Sequence, residues 1–319
     1  MAEALCLGEA LIDFVADVTG VTLAECPGFR KAPGGAPANV AVGLARLGMS
    51  AAFLGKVGDD AFGHFLADTF SAAGVDTQFM RFDAEARTGL AFVSLRADGE
   101  RDFAFFRNPS ADMLYRPDEI PEAAFDGCRI YHYGSITLIQ DPSRAATLDA
   151  LRRAKSYGAV ISYDPNLRPP LWPDLDVARN RILEGMPHAD FVKVSEEEAE
   201  FLFGPGNLSA HAAALMDRGP RLVAITLGAN GAYLANRTAA VRLPGFAVQA
   251  VDTTGAGDGF VAGVLSELPS EDPGDISADD LECIGRLACA VGALACTRKG
   301  AIPSLPLRSE ALAFLSEYG

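Results

Sequence analysis

The run DTTGAGDGF, residues 252–260, places an aspartate directly after closely spaced glycines and before an apolar segment of helical spacing. Glycines leave backbone N–H groups accessible, and a helix start adds partial positive charge, so Gly255, Ala256 and Gly257 could bind an anion. Asp258 would repel a phosphate at rest. We therefore expect it to accept a proton from a hydroxyl group that attacks the phosphate. On local grounds, an incidental aspartate in a first helical turn explains the run equally well.

The composition limits the classes of protein that can carry this run. The chain has 319 residues, 49% apolar and 22% charged, which is typical of a globular protein with one large domain, alone or with a small companion. Its net charge of −15 argues against a nucleic-acid partner. The N-terminal MAEALCLGEALIDF lacks a basic segment, and no run of about 18 apolar residues occurs, so we expect a cytoplasmic protein without a membrane span.

Metal and disulfide chemistry have little support in the sequence. The six cysteines form no CxxC pair and lie mostly in apolar runs, so we predict buried free thiols rather than a zinc site or disulfides. None of the four histidines has another His or Cys at ligand spacing, and we expect structural or surface roles for them.

Apolar runs of strand length alternate with helical patterns along most of the chain. LCLG, AAFLGKVG, RIYHYGS, AVISYDPN, FVKVS and RLVAITLG are predicted strands, and PANVAVGLARLG, AFGHFLADTFSAAG and RAATLDALRRAKSYG are predicted helices. This alternation predicts an α/β fold with a mostly parallel sheet and helices on both faces. Ligands of such folds bind at the carboxyl ends of the strands. We therefore expect the ligand to contact the residues that follow the strands: Gly134-Ser135, residues 164–166, Ser195 and Leu227-Gly228.

Two segments lack covering helices. Residues 10–18 have an extended pattern, and residues 88–107 resemble a hairpin that turns at residues 97–100. We expect these strands to form a small separate sheet, a lid built from about residues 10–33 and 88–110 that excludes water from the ligand. The alternative is an edge extension of the main sheet.

Two longer stretches together resemble the PfkB (ribokinase-like) family of carbohydrate kinases: GGAPANVAVGLARLG at 34–48 and DTTGAGDGFVAGVL at 252–265. Shorter segments, among them GEALIDF, YDPNLRPPLW and TRKGAIPSLP, are similar to family segments in the same order. The resemblance implies a three-layer α/β/α fold, one kinase domain over residues 1–319, and transfer of the ATP γ-phosphate to a sugar hydroxyl. Asp258 would be the base and the amides of residues 255–257 the anion hole.

Within the family, FAFFRNPSADMLY, HYGSI and DPNLRPPLW resemble bacterial and plant fructokinases, which implies fructose phosphorylated at C6. The implied sugar-site residues are Asp13, Gly34, Gly35, Asn39, Arg107, Asp164, Asn166 and Arg168. Arg107 could instead be a solvated arginine of the lid. Arg168 could contact the transferred phosphate or form a structural ion pair with Asp164 or Asp174.

The nucleotide side departs from the family pattern at one position. Family members carry Asn-x-x-Glu, whereas this chain has Ser195 in place of the asparagine and keeps the glutamate as Glu198, which would reach Mg²⁺ through water. The ATP-binding loop would contain Thr226, Gly228 and Gly231, and Cys289 would lie near the adenine. The resemblance also implies a monovalent cation, K⁺, at Asp252, Thr254, Ala295, Gly300 and Ser304.

Other functions remain open at the level of sequence. A kinase for 2-keto-3-deoxygluconate or ribose would share Asp258 and both glycine motifs, and a sugar-binding regulator could keep the fold without turnover. A nicotinamide-dependent oxidoreductase is disfavoured because no GxGxxG follows the first strand. The apolar lid strand LAFVSL is an edge that a second copy of the chain could cover, which would give a homodimer.

Overall fold

The computed structural model describes residues 2–95, 101–268 and 272–318. The strands are β1 (Ala4–Leu7), β2 (Leu11–Ala16), β3 (Phe29–Gly34), β4 (Ala51–Leu54), β5 (Lys56–Gly58), β6 (Arg81–Asp83), β7 (Gly89–Leu95), β8 (Arg101–Phe106), β9 (Ile130–Gly134), β10 (Val160–Asp164), β11 (Phe191–Ser195), β12 (Leu222–Thr226), β13 (Ala232–Asn236) and β14 (Ala240–Leu243). The α-helices are α1 (Ala36–Arg46), α2 (Ala61–Ala72), α3 (Ser143–Ser156), α4 (Leu175–Gly185), α5 (Glu196–Phe203), α6 (Leu208–Met216), α7 (Ala256–Glu267), α8 (Ala278–Ala295), α9 (Ala301–Ser304) and α10 (Arg308–Glu317).

The main sheet has eight strands in the order β14-β13-β12-β11-β10-β9-β1-β4. The six strands from β12 to β4 run parallel, and β13 and β14 are antiparallel, so the predicted mostly parallel sheet is confirmed. Its central strands are apolar almost throughout because both faces are covered. Alternate residues of β1 enter different cores: Ala4 and Cys6 pack with α1, α7 and α8, whereas Leu5 and Leu7 pack with α3 to α6. These three layers match the predicted α/β/α architecture.

One strand prediction needs correction. AAFLGKVG forms two strands, because the chain leaves the main sheet at Gly55, where a side chain would come within 2.5 Å of the Phe53 ring. After this point β5 pairs with β6 in a separate two-stranded sheet.

A second, four-stranded sheet has the order β3-β2-β7-β8. Strands β2 and β7 are parallel, and the outer pairs are antiparallel. The predicted small separate sheet is therefore confirmed, and the alternative of an edge extension is wrong. The prediction that LAFVSL is an edge strand is wrong, because it belongs to β7, which pairs with β2 on one side and with β8 on the other. The predicted turn at residues 97–100 lies outside the described residues. Phe14 of β2 stacks on Phe92 of β7 with ring centroids 4.8 Å apart, which holds the parallel pair together.

All six cysteines are free, and Cys6, Cys128 and Cys289 are buried as predicted, whereas Cys283 is exposed. Over residues 2–95, 101–268 and 272–318, no group of three or more His, Cys, Asp and Glu side chains is arranged to hold a metal ion. Within the same ranges no helix is both long and apolar enough to cross a bilayer.

Candidate active site

The carboxyl ends of the parallel strands open into a cleft of about 200 Å³. Asp164, Ser195 and Thr226 are the last residues of β10, β11 and β12, and they lie at the same edge because these strands are neighbours in parallel register. The small sheet forms the opposite wall. The residues that line the cleft include Glu9, Asp13, Asn39, Asn166, Arg168, Lys193, Gly255, Gly257 and Asp258, with Phe103 and Phe105 from the small sheet.

Asp258 lies in the first turn of α7, with its carboxylate held between two amides. Asn39 Nδ2 donates to Asp258 Oδ2 at 2.7 Å, and Asn166 Nδ2 donates to Asp258 Oδ1 at 3.4 Å. Only 6% of the residue is exposed. Burial raises the pKa of Asp258 to about 6, with a further rise from Asp164, while the Asn39 hydrogen bond opposes the shift. A carboxylate with this pKa is ionised at neutral pH and basic enough to take up a proton.

The glycines before Asp258 start the helix beside the cleft. Gly255 is the N-cap in the left-handed region, with φ of 84°. First-turn amides have no acceptor within their helix, which leaves the N–H groups at this end available to an anion. Gly255 and Gly257 line the cleft. The Ala256 amide donates to the Thr253 carbonyl at 3.3 Å, so this member of the predicted anion hole also closes the turn.

Asp13, predicted to bind the sugar, projects from β2 into the cleft. Burial raises its pKa to about 6, and the nearby Arg168 lowers it. A side chain at Gly34 would collide with Asp13 Oδ2, and one at Gly35, where φ is 116°, would collide with the Glu9 carbonyl. The two glycines therefore allow the chain at the end of β3 to pass close to the Asp13 carboxylate and to the backbone of Glu9. Their predicted close approach to a ligand stays a prediction.

Asn39 has an unused acceptor. The residue is 4% exposed, and its Oδ1 is buried without a hydrogen-bond partner, while its Nδ2 is bonded to Asp258. An unpaired buried acceptor is costly, so a donor from water or from a ligand would stabilise it. Asn39 lines the cleft, and a hydroxyl group of a ligand bound there is a donor of the right kind.

Arg107 lies behind the cleft wall rather than in solvent. It is 7% exposed and forms an ion pair with Asp112, so the alternative of a solvated arginine is wrong. Its predicted contact with sugar stays a prediction, since the cleft is lined by the neighbouring Glu9. Glu9 Oε1 accepts a hydrogen bond from the Ala36 amide at 3.0 Å, and burial raises its pKa to about 7. We did not predict Glu9, although its place just after a central parallel strand was a usable signal.

Lys193 is the second charged residue of the cleft that was not predicted from the sequence. It is the middle residue of the buried strand β11 and is 6% exposed. Its Nζ lies 3.1 and 3.3 Å from the two Asp164 oxygens, and these contacts show that Asp164 pairs with Lys193 rather than with Arg168. Burial lowers the pKa of Lys193, but Asp164 and Glu198 outweigh it and leave a net rise. A charged residue inside an apolar strand was the signal for it.

Asn166 and Arg168, both predicted for the sugar site, follow β10. Asn166 has φ of 45°, in the left-handed region, and its backbone N–H bonds Asp164 Oδ1 at 3.0 Å, which turns its side chain toward Asp258. Arg168 is exposed, and its guanidinium donates to the Leu167 carbonyl at 3.2 Å. Asp174, its other suggested partner, caps α4 by accepting from the Val177 amide.

A second cavity, of about 310 Å³, lies beyond Lys193 and is lined by Asn166, Leu167, Arg168, Pro169, Lys193, Ser195, Glu197 and Glu198. Ser195 and Glu198 form a capping box at the start of α5: the Glu198 amide donates to Ser195 Oγ, and the Ser195 amide donates to Glu198 Oε2. Glu198 Oε1 accepts from the Leu167 amide at 2.6 Å. Burial raises the pKa of Glu198. The capping role of Ser195 holds Glu198 at the cavity wall.

The other residues predicted to bind the nucleotide lie in separate segments: at the end of β12, in the loop that follows it, and in α8. Thr226 is the register partner of Ser195, at the end of β12. A side chain at Gly228 would meet nothing within 4 Å, so the backbone there faces open space, whereas one at Gly231 would collide with the Leu243 carbonyl. Cys289 belongs to the hydrophobic core, and burial raises the pKa of its thiol to about 12.

The predicted cation residues gather around the start of α7. Asp252 Oδ1 accepts from the Thr254 amide and hydroxyl at 3.0 and 2.7 Å, and Asp252 Oδ2 accepts from the Gly300 amide at 2.9 Å. Ala295 ends α8 just before Cys296, whose carbonyl accepts from the Asp252 amide at 3.2 Å. Ser304 is buried in α9, where its hydroxyl bonds the Ala301 carbonyl.

Asp258 is thus a buried carboxylate at a helix start, and it faces a cleft that a second sheet borders. The family model described as pfkB family carbohydrate kinase matches residues 1–308, and the chain belongs to this family. The resemblance found in the sequence is thereby confirmed, and with it the assignment to enzymes that phosphorylate a sugar hydroxyl.

Individual relatives agree with this assignment. Fructokinase-2 of Solanum habrochaites is 50% identical over 311 residues, which cover 97% of this chain and 94% of the relative. The crystal structure of a fructokinase with bound ATP from Xylella fastidiosa superposes with a TM-score of 0.91 at 38% identity, covering 100% of this chain and 99% of that one. A double mutant of the fructokinase from Vibrio cholerae O395, in the fructose-, ADP- and potassium-bound form, has a TM-score of 0.87 at 36% identity, covering 99% and 98%.

Proposed function

We propose that this protein is an ATP-dependent fructokinase, which transfers the γ-phosphoryl group of ATP to the C6 hydroxyl of fructose. The observation that carries the kinase chemistry is the buried Asp258 carboxylate, fixed by Asn39 and Asn166 at the start of α7. The choice of fructose is supported by the relatives, whose names are fructokinases at about half identity over nearly the whole chain.

Fructose would be held by acceptors that the cleft already presents. Asp13 and Asn39 line the cleft, and Asn39 Oδ1 lacks a donor, so hydroxyl groups of the sugar satisfy both. Gly34 and Gly35 position the chain behind them, and Arg107 acts on the same region through its place beside Glu9. This arrangement orients one sugar hydroxyl toward Asp258.

In the transfer step, Asp258 takes the proton of the C6 hydroxyl as the oxygen attacks the γ-phosphorus. The bond between that phosphorus and the β–γ bridging oxygen breaks, and ADP leaves with the electron pair. The amides at the start of α7, from Gly255, Ala256 and Gly257, stabilise the charge on the transferred oxygens. Arg168, which is exposed at the cleft, would add a positive charge.

The nucleotide would occupy the second cavity and the loop beyond it. Ser195, Thr226, Gly228 and Gly231 would border ATP, with Cys289 behind the adenine. Glu198 would hold Mg²⁺ through water, and the ion would neutralise charge on the phosphates. K⁺ would bind at Asp252, Thr254, Ala295, Gly300 and Ser304, where Asp252 already joins two of these segments.

The small sheet would act as a lid. Phe103 and Phe105 of β8 line the cleft and stack with centroids 5.8 Å apart, which gives the lid an apolar inner surface that excludes water. Val15 of β2 and Phe106 of β8 are 44 and 63% exposed, and a second copy of the chain could cover these residues in a homodimer. A cytoplasmic location, K⁺ activation and the absence of nucleic-acid partners stay predictions.

A coupled ADP-release assay with MgATP and K⁺ tests the proposal, with fructose, ribose, glucose and 2-keto-3-deoxygluconate as acceptors. We expect the highest kcat/KM with fructose. Preference for 2-keto-3-deoxygluconate or ribose would keep the chemistry and overturn the choice of sugar. Absence of turnover with every acceptor, combined with sugar binding by calorimetry, would indicate a regulator rather than a kinase.

A further inference from the structure

The cleft and the second cavity share three lining residues, Asn166, Arg168 and Lys193. If the proposed function holds, sugar and base occupy the cleft and the nucleotide occupies the second cavity. The phosphoryl group must then cross between the two cavities, past these residues. Asn166 is neutral and Arg168 is exposed, whereas Lys193 is a buried cation at the crossing.

Lys193 also lies beside the start of α7. A Cβ placed on Gly257 would come within 3.2 Å of Lys193 Nζ, so the ammonium group is next to the amides of the anion hole. An ammonium group has three N–H donors, and the two Asp164 oxygens use at most two of them. One donor therefore remains for a group that binds between Lys193 and Gly257.

We propose that Lys193 is a catalytic residue whose ammonium group contacts the phosphoryl group while it passes from ATP to the sugar. This inference rests on the proposed function and adds to it a residue that the glycine motifs do not contain. Asp164 is then a positioning residue, because its contact with Lys193 fixes the ammonium group at the crossing and it does not itself line the cleft.

The charge balance of the step is consistent with this role. Lys193 stays protonated throughout, the proton of the sugar hydroxyl goes to Asp258, and the bridging oxygen leaves with ADP. Lys193 and Asp164 together are neutral, so an incoming phosphate meets no net charge from the pair, but it does meet a fixed donor. A donor that is already oriented and desolvated stabilises developing charge without reorganisation.

The test compares Lys193→Met with the double variant Asp164→Asn/Lys193→Met, which removes both charges and so leaves no buried unpaired carboxylate. Lys155→Met, at an exposed lysine of α3, is the matched control. Thermal unfolding shows whether each variant is folded. For each folded variant, kcat and KM for fructose are measured, together with the affinity for MgADP alone and for MgADP with tetrafluoroaluminate, a mimic of the phosphoryl group in transfer.

We expect kcat to fall by about 10² to 10³ in both Lys193 variants, with the fructose KM within about threefold of wild type. The affinity for MgADP with tetrafluoroaluminate should fall in parallel, and the affinity for MgADP alone should change little. Recovery of the wild-type kcat in the double variant would show that Lys193 only neutralises Asp164, and would overturn the inference. An unchanged tetrafluoroaluminate affinity would also overturn it. A wild type without sugar turnover would contradict the proposed function and the inference together.

Discussion

Asn39 Nδ2 donates a 2.7 Å hydrogen bond to Asp258 Oδ2 across a sequence separation of 219 residues. The bond joins the first turn of α1 to the first turn of α7, so the two glycine-rich segments meet at one point. The helices approach closely because their contact uses small residues: a Cβ on Gly43 would lie 2.6 Å from that of Ala262. In the proposed function, sugar orientation and proton acceptance would therefore share one side-chain contact.

Loss of Asn39 should affect binding and pH dependence together. Asn39→Ala removes the free Oδ1 acceptor and the donor that stabilises ionised Asp258. A hydrogen bond between neutral groups contributes about 0.5–1.5 kcal/mol, so loss of the Oδ1 acceptor should raise the fructose KM by about 2- to 10-fold. The acidic midpoint of the pH–rate profile should also move upward. Steady-state kinetics across pH checks both effects. A raised KM with an unchanged midpoint would show that Asn39 does not control the pKa of Asp258.

The wild-type pH profile should report the carboxylates of the cleft. Burial raises the pKa of both Asp258 and Asp13 to about 6. The proposed function requires the ionised form of each, Asp258 as base and Asp13 as acceptor for the sugar. We expect kcat/KM to reach a plateau above this pH and to fall below it with a slope greater than one. Asp13→Asn should lower the slope toward one at reduced overall activity. A profile that stays flat down to pH 5 contradicts these assignments.

We expect the ionised carboxylate of Asp258 to lower the stability of the unliganded protein. The folded-state pKa of Asp258, about 6, exceeds its ordinary value of 3.8, so folding favours the protonated carboxyl. That contribution is complete below about pH 4 and is lost as pH rises through 6. At pH 8, Asp258→Asn should therefore raise the free energy of unfolding, by up to about 3 kcal/mol, with the gain shrinking toward pH 4. Denaturant unfolding at both pH values measures this, and an equal gain at both would exclude the titration of Asp258 as its cause.

Gly255 and Gly48 form a matched pair for testing the helix start. Both have positive φ, 84° and 97°, so an alanine costs about 1–3 kcal/mol of backbone strain at either site. A Cβ on Gly255 would also lie 2.7 Å from the Cβ of Ala301, whereas one on Gly48 meets nothing within 4 Å. We expect Gly255→Ala to lower kcat at least 10-fold and Gly48→Ala to leave it unchanged. Similar kcat values in the two folded variants would show that the anion hole tolerates this displacement.

The elements and the sheet could be predicted because their signals are local. The strand–helix alternation gave the parallel sheet, and the run at residues 252–260 indicated a base before any relative was considered. The break at Gly55 was missed because it depends on the Phe53 ring and on pairing with β6, which lies beyond the local pattern.

The missed site residues have a common cause. Lys193 is a single charge within an apolar strand, and Glu9 follows the first strand in a segment whose apolar residues determined the strand prediction. Their importance depends on partners from other strands, Asp164 for Lys193 and the Ala36 amide for Glu9. Pairing of this kind is decided by the sheet order, which a local pattern does not specify.

The role of Asp258 is tested most directly by Asp258→Asn, with fructose turnover and fructose affinity measured on the same preparation. Removal of a general base costs about 10² to 10⁴ in rate while positioning is retained. We therefore predict that kcat falls by that factor and that the fructose Kd stays within about threefold of wild type. A kcat within threefold of wild type would contradict the assignment of Asp258 as the base.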